Sequence, residues 1–190
     1  MTFLLTTTKS SNKRTNFLIN DLNKIFNCKV EFKVSDRKSL SDVYDYMYLN
    51  DCNTAIFFEI TKKTNYIWFI SGKKAIKCNL ETFTTIFELA TLFNGHKEAG
   101  YEIYFGKDFD ECSFLKDLKN VLEDVFLSKK ELSLTDEKKY NKERIISFLN
   151  NDDIIYFRHY LVDNVSEIGP RIEFSIEKVI EYNKNTKLEE

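Results

Sequence analysis

Hydrophobic and polar positions along the 190-residue chain switch between two periods. TFLLTTT (2–8) is rich in β-forming residues, and KSSNK (9–13) supplies turn and cap residues. RTNFLINDLNKIF follows, with Leu18, Leu22 and Ile25 at helical spacing. KVEFKV (29–34) alternates as a strand, and SLSDVYDYMYL places Leu40, Val43, Tyr44 and Met47 on one helical face behind a Ser or Asp cap. TAIFFEI (54–60) and NYIWFIS (65–71), joined by TKKT, predict a hairpin, with KAIKCNL as a third strand. From Glu81 to Phe93 the pattern fits either a short helix or an extended crossover.

After the turn-prone NGHKEAG (94–100) the order of elements begins again. YEIYF reads as a strand, and DECSFLKDLKNVLEDVFL as a helix whose apolar face is Phe114, Leu118, Val121 and Val125. The charged stretch from Ser128 to Glu143 reads as a solvated loop or frayed helix. RIISFLN, DIIYFRHYLV and RIEFSIEKVIEY are three strand-like runs with a turn at NNDD. The series β-α-β-α-β-β-β and then β-α-β-β-β predicts an α/β fold of two similar halves, about 1–95 and 96–182. Together they make one domain over 1–190, with a short charged tail at 183–190.

With 43% hydrophobic residues and 15% aromatics the chain carries ample material for a core. Cys28, Cys52, Cys78 and Cys112 stand far apart, which excludes a zinc ribbon and argues for reduced, mostly buried thiols, with Cys112 in the core. The opening MTFLLTTT is too short an apolar run for a signal peptide, and no segment approaches a membrane span. The expected protein is soluble and intracellular, without a membrane partner, and the sequon at Asn164 is idle.

A formal net charge of -2 argues against a uniformly basic nucleic-acid wrapper, so charge has to be read locally. Residues 1–38 hold eight basic side chains, Lys9, Lys13, Arg14, Lys24, Lys29, Lys33, Arg37 and Lys38, against Asp21, Glu31 and Asp36. Thr6, Thr7, Thr8, Ser10, Ser11 and Asn12 at a strand end, with the amides that open the next helix, suit phosphate oxygens, and Lys9, Lys13 and Arg14 add charge. The other reading is an N-cap loop with ordinary surface lysines. Arg158 and Arg171 each either meet RNA or a partner, or pair with Glu167, Glu173 or Glu59. Trp68 and the aromatic residues of IFFEI and IIYFRHY either stack on bases or fill the core.

No catalytic constellation stands out. His96 and His159 lack ligand spacing, no G-x-S-x-G or Gly-rich phosphate loop is present, and Asp108, Asp110 and Glu111 read as a helix cap before they read as a metal site. No catalytic residue, metal or cofactor is expected. The single proline, in VSEIGPRIEFSI (165–176), marks entry to the last strand where no ladder donor is needed. Gly169 is then expected to be extended, with another backbone close by, and Arg171 to be held by a carboxylate or phosphate where the halves join. A partner chain is expected along a neighbouring strand edge.

Two of these segments carry a resemblance. LLTTTKSSNKRTNFLINDL is similar to the opening of Brix-domain proteins, and IIYFRHY followed by VSEIGPRIEFSI resembles that family's closing signature. NDCNTAIFFEITKKTNYIWFIS (50–71) and FGKDFDE (105–111) look most like the family's large-subunit branch, so the resemblance covers nearly the whole chain. It departs at Gly72, followed by KKA where the family has Gly-Pro, and at KEAG (97–100), which lacks arginine and proline.

The resemblance implies two halves akin to an anticodon-binding domain, in a chain pared down to the Brix domain. It implies a non-enzymatic factor of rRNA processing and large-ribosomal-subunit assembly in the nucleus and nucleolus. That factor would bind precursor rRNA through Thr7, Thr8, Lys9, Ser10, Asn12, Lys13, Arg14, Arg37, Lys38, Arg158 and Arg171. Its implied partners are a dedicated nucleolar protein, the homologue of the Epstein–Barr nuclear-antigen-binding protein, and other pre-ribosomal assembly factors, with Gly169, Pro170 and Arg171 as partner-binding or structural signature. The alternatives are an anticodon-binding-like module of a tRNA enzyme, or a Brix protein of the small-subunit processome.

Overall fold

The structure, a computed structural model, describes residues 3–26, 28–35, 40–89, 100–127 and 142–182. The first half runs β1 (Phe3–Thr8), α1 (Lys13–Ile25), β2 (Cys28–Ser35), α2 (Leu40–Leu49), β3 (Thr54–Ile60), β4 (Asn65–Ser71) and β5 (Lys74–Thr84). The second runs β6 (Gly100–Phe105), α3 (Asp108–Glu111), α4 (Ser113–Phe126), β7 (Lys142–Asn151), β8 (Ile154–Leu161) and β9 (Arg171–Glu181). The nine strands of the described residues form one sheet in the order β2-β1-β3-β4-β5-β9-β8-β7-β6.

The order shows how the halves relate. β3-β4-β5 and β7-β8-β9 are antiparallel meanders laid back to back, joined where β5 pairs with β9 from Lys74↔Glu181 to Thr84↔Arg171. β1 lies parallel to β3 and β6 lies parallel to β7, so each occupies the same place beside its meander. The first half adds β2, parallel to β1, and carries α2 on the face opposite α1.

Alternation along the strands sends two sets of side chains to opposite faces. Leu18, Leu22 and Ile25 of α1 and Leu118, Val121 and Val125 of α4 cover one face, over Leu5, Ile56, Phe58, Phe69, Phe148, Phe157 and Phe174. α2 covers the other face in the first half alone, with Leu40, Val43 and Met47 against Leu4, Phe57, Trp68 and Ile70. α4 reaches across the boundary. Phe126 packs 5.8 Å from Phe3 and 4.7 Å from Phe26, the Ser71 hydroxyl donates to Asp124 at 2.6 Å, and Lys74 pairs with Asp117 at 2.8 Å. Trp68 is buried, and its indole N–H donates to buried Glu59 at 2.9 Å, so it fills the core.

The helix expected after β6 is interrupted at Cys112, whose backbone is extended (φ -101°, ψ 130°). Leu118, Val121 and Val125 face inward as expected, joined by Leu115, Leu122 and Phe126, whereas Phe114 is 62% exposed and Cys112 sits on the surface instead of in the core. Phe109, in α3, is wholly buried. At the NNDD turn, Asp152 and Asp153 both adopt positive φ, 50° and 64°, as a two-residue hairpin turn needs. Among the described residues no helix is long and apolar enough to cross a membrane.

The proline segment is a bulge. Phe157 pairs with Ile172, while beyond it the Ile168 N–H donates to the His159 carbonyl at 2.8 Å and Glu167 bridges to Tyr160. Gly169, Pro170 and Arg171 therefore stand opposite Arg158 alone, and the missing N–H of Pro170 leaves no ladder bond unmade. Gly169 is left-handed (φ +66°), not extended, and the Gly169-Pro170 peptide is cis. Returning two extra residues to the ladder demands a sharp reversal, which an L side chain resists. What lies close to Gly169 is also a side chain and not a backbone: a Cβ there would sit 2.3 Å from Leu89 Cδ1.

Gly169→Ala should therefore cost about 1–2 kcal/mol for the left-handed backbone, and more for the displaced leucine. Adding Leu89→Ala should recover only the part due to collision, beyond the loss that Leu89→Ala causes alone. Urea unfolding of the two single variants and the double checks both terms; a Gly169→Ala chain as stable as the parent would contradict the assignment.

Candidate nucleic-acid interface

Because β1 and β3 run parallel, their C-terminal ends lie together, and so do the segments that leave them. Thr8 Oγ1 donates to the Ile60 carbonyl at 2.8 Å and accepts from the Ile60 N–H at 3.1 Å, and the Ser10 hydroxyl also donates to the Ile60 carbonyl. Asn12 caps α1, its Oδ1 accepting from the Thr15 N–H at 2.8 Å and the Thr15 hydroxyl at 3.1 Å, while the Ser11 hydroxyl donates to Asn16. Thr6 and Thr7 are wholly buried. The polar side chains of this loop thus set its shape, and its cations face outward.

Lys9 and Lys13 are exposed, and so are Lys62 and Lys63 in the β3–β4 turn, which the Ile60 contacts hold beside residues 8–10. Nothing in the sequence joined Lys62 and Lys63 to this site. A Lys-Lys pair in a hairpin turn is an ordinary surface feature until the parallel pairing of β1 and β3 brings it against the loop. Arg37 and Lys38 lie outside the described residues.

Arg14 turns inward. Its Nε donates to Glu88 at 2.8 Å, one Nη donates to the Phe83 carbonyl at 2.5 Å, and the guanidinium stands 4.4 Å from the Phe83 ring centroid. Arg14 and the N–H of Thr85 hold the Glu88 carboxyl down at about 2. Buried Asp21 accepts from the Ile86 N–H at 2.8 Å, and desolvation raises its own pKa. The stretch left open between helix and crossover is therefore strand to Thr84 and then a turn, Thr85–Leu89, tied to α1 at two points. Leu89, at the end of that turn, packs against Gly169. The loop at residues 9–14 and the Gly-Pro bulge meet through it.

Arg158 and Arg171 are ion-paired. Arg171 forms a fork on Glu167 at 2.7 and 2.5 Å, which raises its pKa, and Arg158 meets Glu173 at 2.5 Å and Glu167 at 3.7 Å. No neighbouring strand edge is open to a partner there, contrary to expectation, because β9 is central and Arg171 pairs with Thr84 of β5. Phe57, Phe58 and Phe157 are core, whereas Tyr156 and Tyr160 are half-buried on the face that α1 and α4 leave open. Among the described residues no three His, Cys, Asp or Glu side chains gather as metal ligands.

Residues 8–178 match the family profile of the Brix domain, from the end of β1 into β9. The chain belongs to the Brix domain family. Similar Brix proteins include the ribosome biogenesis protein BRX1 homolog of Dictyostelium discoideum, 27% identical over 188 residues, covering 93% of this chain and 57% of that one. The ribosome biogenesis protein brx1 of Schizosaccharomyces pombe is 26% identical over 182 residues, covering 88% and 61%. The chain thus spans somewhat more than half the length of these relatives. The crystal structure of a probable ribosomal biogenesis protein from Aeropyrum pernix K1 superposes with a TM-score of 0.62 at 8% identity, over 92% of this chain and 95% of that one, so the Brix fold is shared.

The bulge of this Brix domain rests on His159, which is fully buried with Nδ1 2.8 Å from the Gly169 carbonyl. Burial, with a smaller contribution from nearby Arg144, pushes its pKa down to about 4 from 6.5. The unfolded chain then takes up a proton first as pH falls, so stability should drop between pH 6.5 and pH 4, by at most about 1.4 kcal/mol per unit. His159→Gln should flatten that slope. Urea unfolding at pH 7 and pH 5 compares the two, and an equal loss in both would remove His159 as the cause.

Proposed function

We propose that this Brix domain is a non-enzymatic ribosome biogenesis factor that grips precursor rRNA by the basic rim at one end of its sheet. The observation that carries the reading is the gathering of Lys9, Lys13, Lys62 and Lys63, with Arg14 behind them, from two separate loops of a chain whose formal net charge is -2. Four exposed ammonium groups around the N-terminus of α1 suit a phosphate backbone, since the first amides of a helix add donors with no intrahelical acceptor. The names of the curated relatives support the same role. Assignment to the large subunit, the nucleolar setting, a role in rRNA processing and a dedicated protein partner among other assembly factors rest on the likeness of residues 50–71 and 105–111 to that branch. In this reading the two halves work as one domain, Arg37 and Lys38 also contact the RNA, and Arg158, Gly169, Pro170 and Arg171 keep the bulge in shape.

Replacing Lys13, Lys62 and Lys63 by Glu should weaken RNA binding and lower the log–log salt slope by roughly 0.7 to 0.9 for each phosphate no longer neutralised, with the thermal melt nearly unchanged. Titration across a salt series measures it; an unchanged slope in a folded variant would take the rim out of the RNA site. Crosslinking and sequencing of the bound RNA tests the wider role. Reads on precursor rRNA support biogenesis, and reads on tRNA would transfer the domain to the anticodon-binding reading.

A further inference from the structure

Phe87 is 91% exposed in the turn Thr85–Leu89. A loose turn would explain this, but both neighbours are fastened. The N–H of Ile86 donates to Asp21, and Glu88 accepts from the N–H and hydroxyl of Thr85 and from Arg14, while Leu89 lies against Gly169. The backbone is held from both sides and Ile86 is buried, yet the one aromatic side chain of the turn points into solvent. Next to it the Arg14–Glu88 pair is balanced in charge, and the net positive charge comes from the lysines beyond it. Arg14 contacts the adjacent residue, Lys13 lies next to Arg14 with its ammonium 5.9 Å from the ring centroid of Phe17, and Phe17 is itself 51% exposed.

An exposed ring on a fixed backbone beside a phosphate-binding rim has the chemistry of a base-stacking platform: the aromatic face takes an unpaired base while the cations take its backbone. A protein ligand would use the apolar ring equally, but the cations of the rim are complementary to a polyanion. Resting on the rRNA-binding reading above, we infer that Phe87 stacks on an unpaired base of the RNA whose backbone follows the Lys9–Lys13 and Lys62–Lys63 rim, which makes a single-stranded segment the preferred substrate.

The test uses the full chain with a single-stranded RNA oligonucleotide and a blunt A-form duplex of equal phosphate number. Phe87→Ala should weaken single-strand binding by roughly five- to a hundred-fold, with duplex binding, the salt slope and the melt unchanged. Phe87→Trp should restore it, and its indole emission should be quenched on binding. Salt-dependent RNA binding that the lysine substitutions reduce and Phe87→Ala does not would overturn the stacking while leaving the rim intact. Absence of salt-dependent binding by the parent chain would overturn both. Weakened association with a protein at unchanged RNA affinity would assign Phe87 to a protein surface, also against the inference.

Discussion

The pairing of β5 with β9 is the constraint from which the rest of the structure follows. Each half ends in a strand that would otherwise be an open edge, and joining the two turns a pair of meanders into one nine-stranded sheet. That places β9 at the centre, so the bulge at its entry lies inside the molecule. It also sets the α4 face of the second half beside the α1 face of the first, which lets Phe126 pack between Phe3 and Phe26. The halves share a core as well as a ladder.

One turn carries this arrangement to the surface. Thr85–Leu89 leaves β5 at the level where β5 still faces Arg171, touches Gly169 through Leu89 and reaches α1 through Asp21 and Arg14. The two contacts to α1 differ in strength. A half-exposed ion pair such as Arg14–Glu88 contributes about 0–1 kcal/mol, whereas a buried hydrogen bond to a carboxylate such as Asp21 contributes about 1.5–3. Asp21 is the firmer of the two ties, and Arg14 adds a weaker, solvent-screened one.

The alternating and helical periods of the chain were sufficient for the order of its elements, because burial of one face imposes period on every strand and helix it contains. The hairpin at residues 54–71, the apolar face of α1, the basic character of the first 38 residues and the strand entry at Pro170 were all legible. So was the ion-paired reading of Arg158 and Arg171, though only as one of two. Periodicity failed where the backbone leaves a regular repeat. The extended residue at Cys112 split the expected helix and left Cys112 and Phe114 on the surface, and the left-handed glycine at 169 follows from a ladder mismatch visible only once Phe157 and Ile168 have found their partners.

Composition and local pattern by themselves determined an α/β chain in two similar halves, with a basic polar loop ahead of its first helix and a proline ahead of its last strand. Tertiary structure alone decided that these two features meet at the turn Thr85–Leu89, that Lys62 and Lys63 join the first of them, and that Phe87 stands exposed between fixed neighbours. The physical reason is distance along the chain. Contacts spanning about fifty to more than a hundred residues depend on strand order and on which sheet face each helix covers, and neither is written in the spacing of nearby side chains.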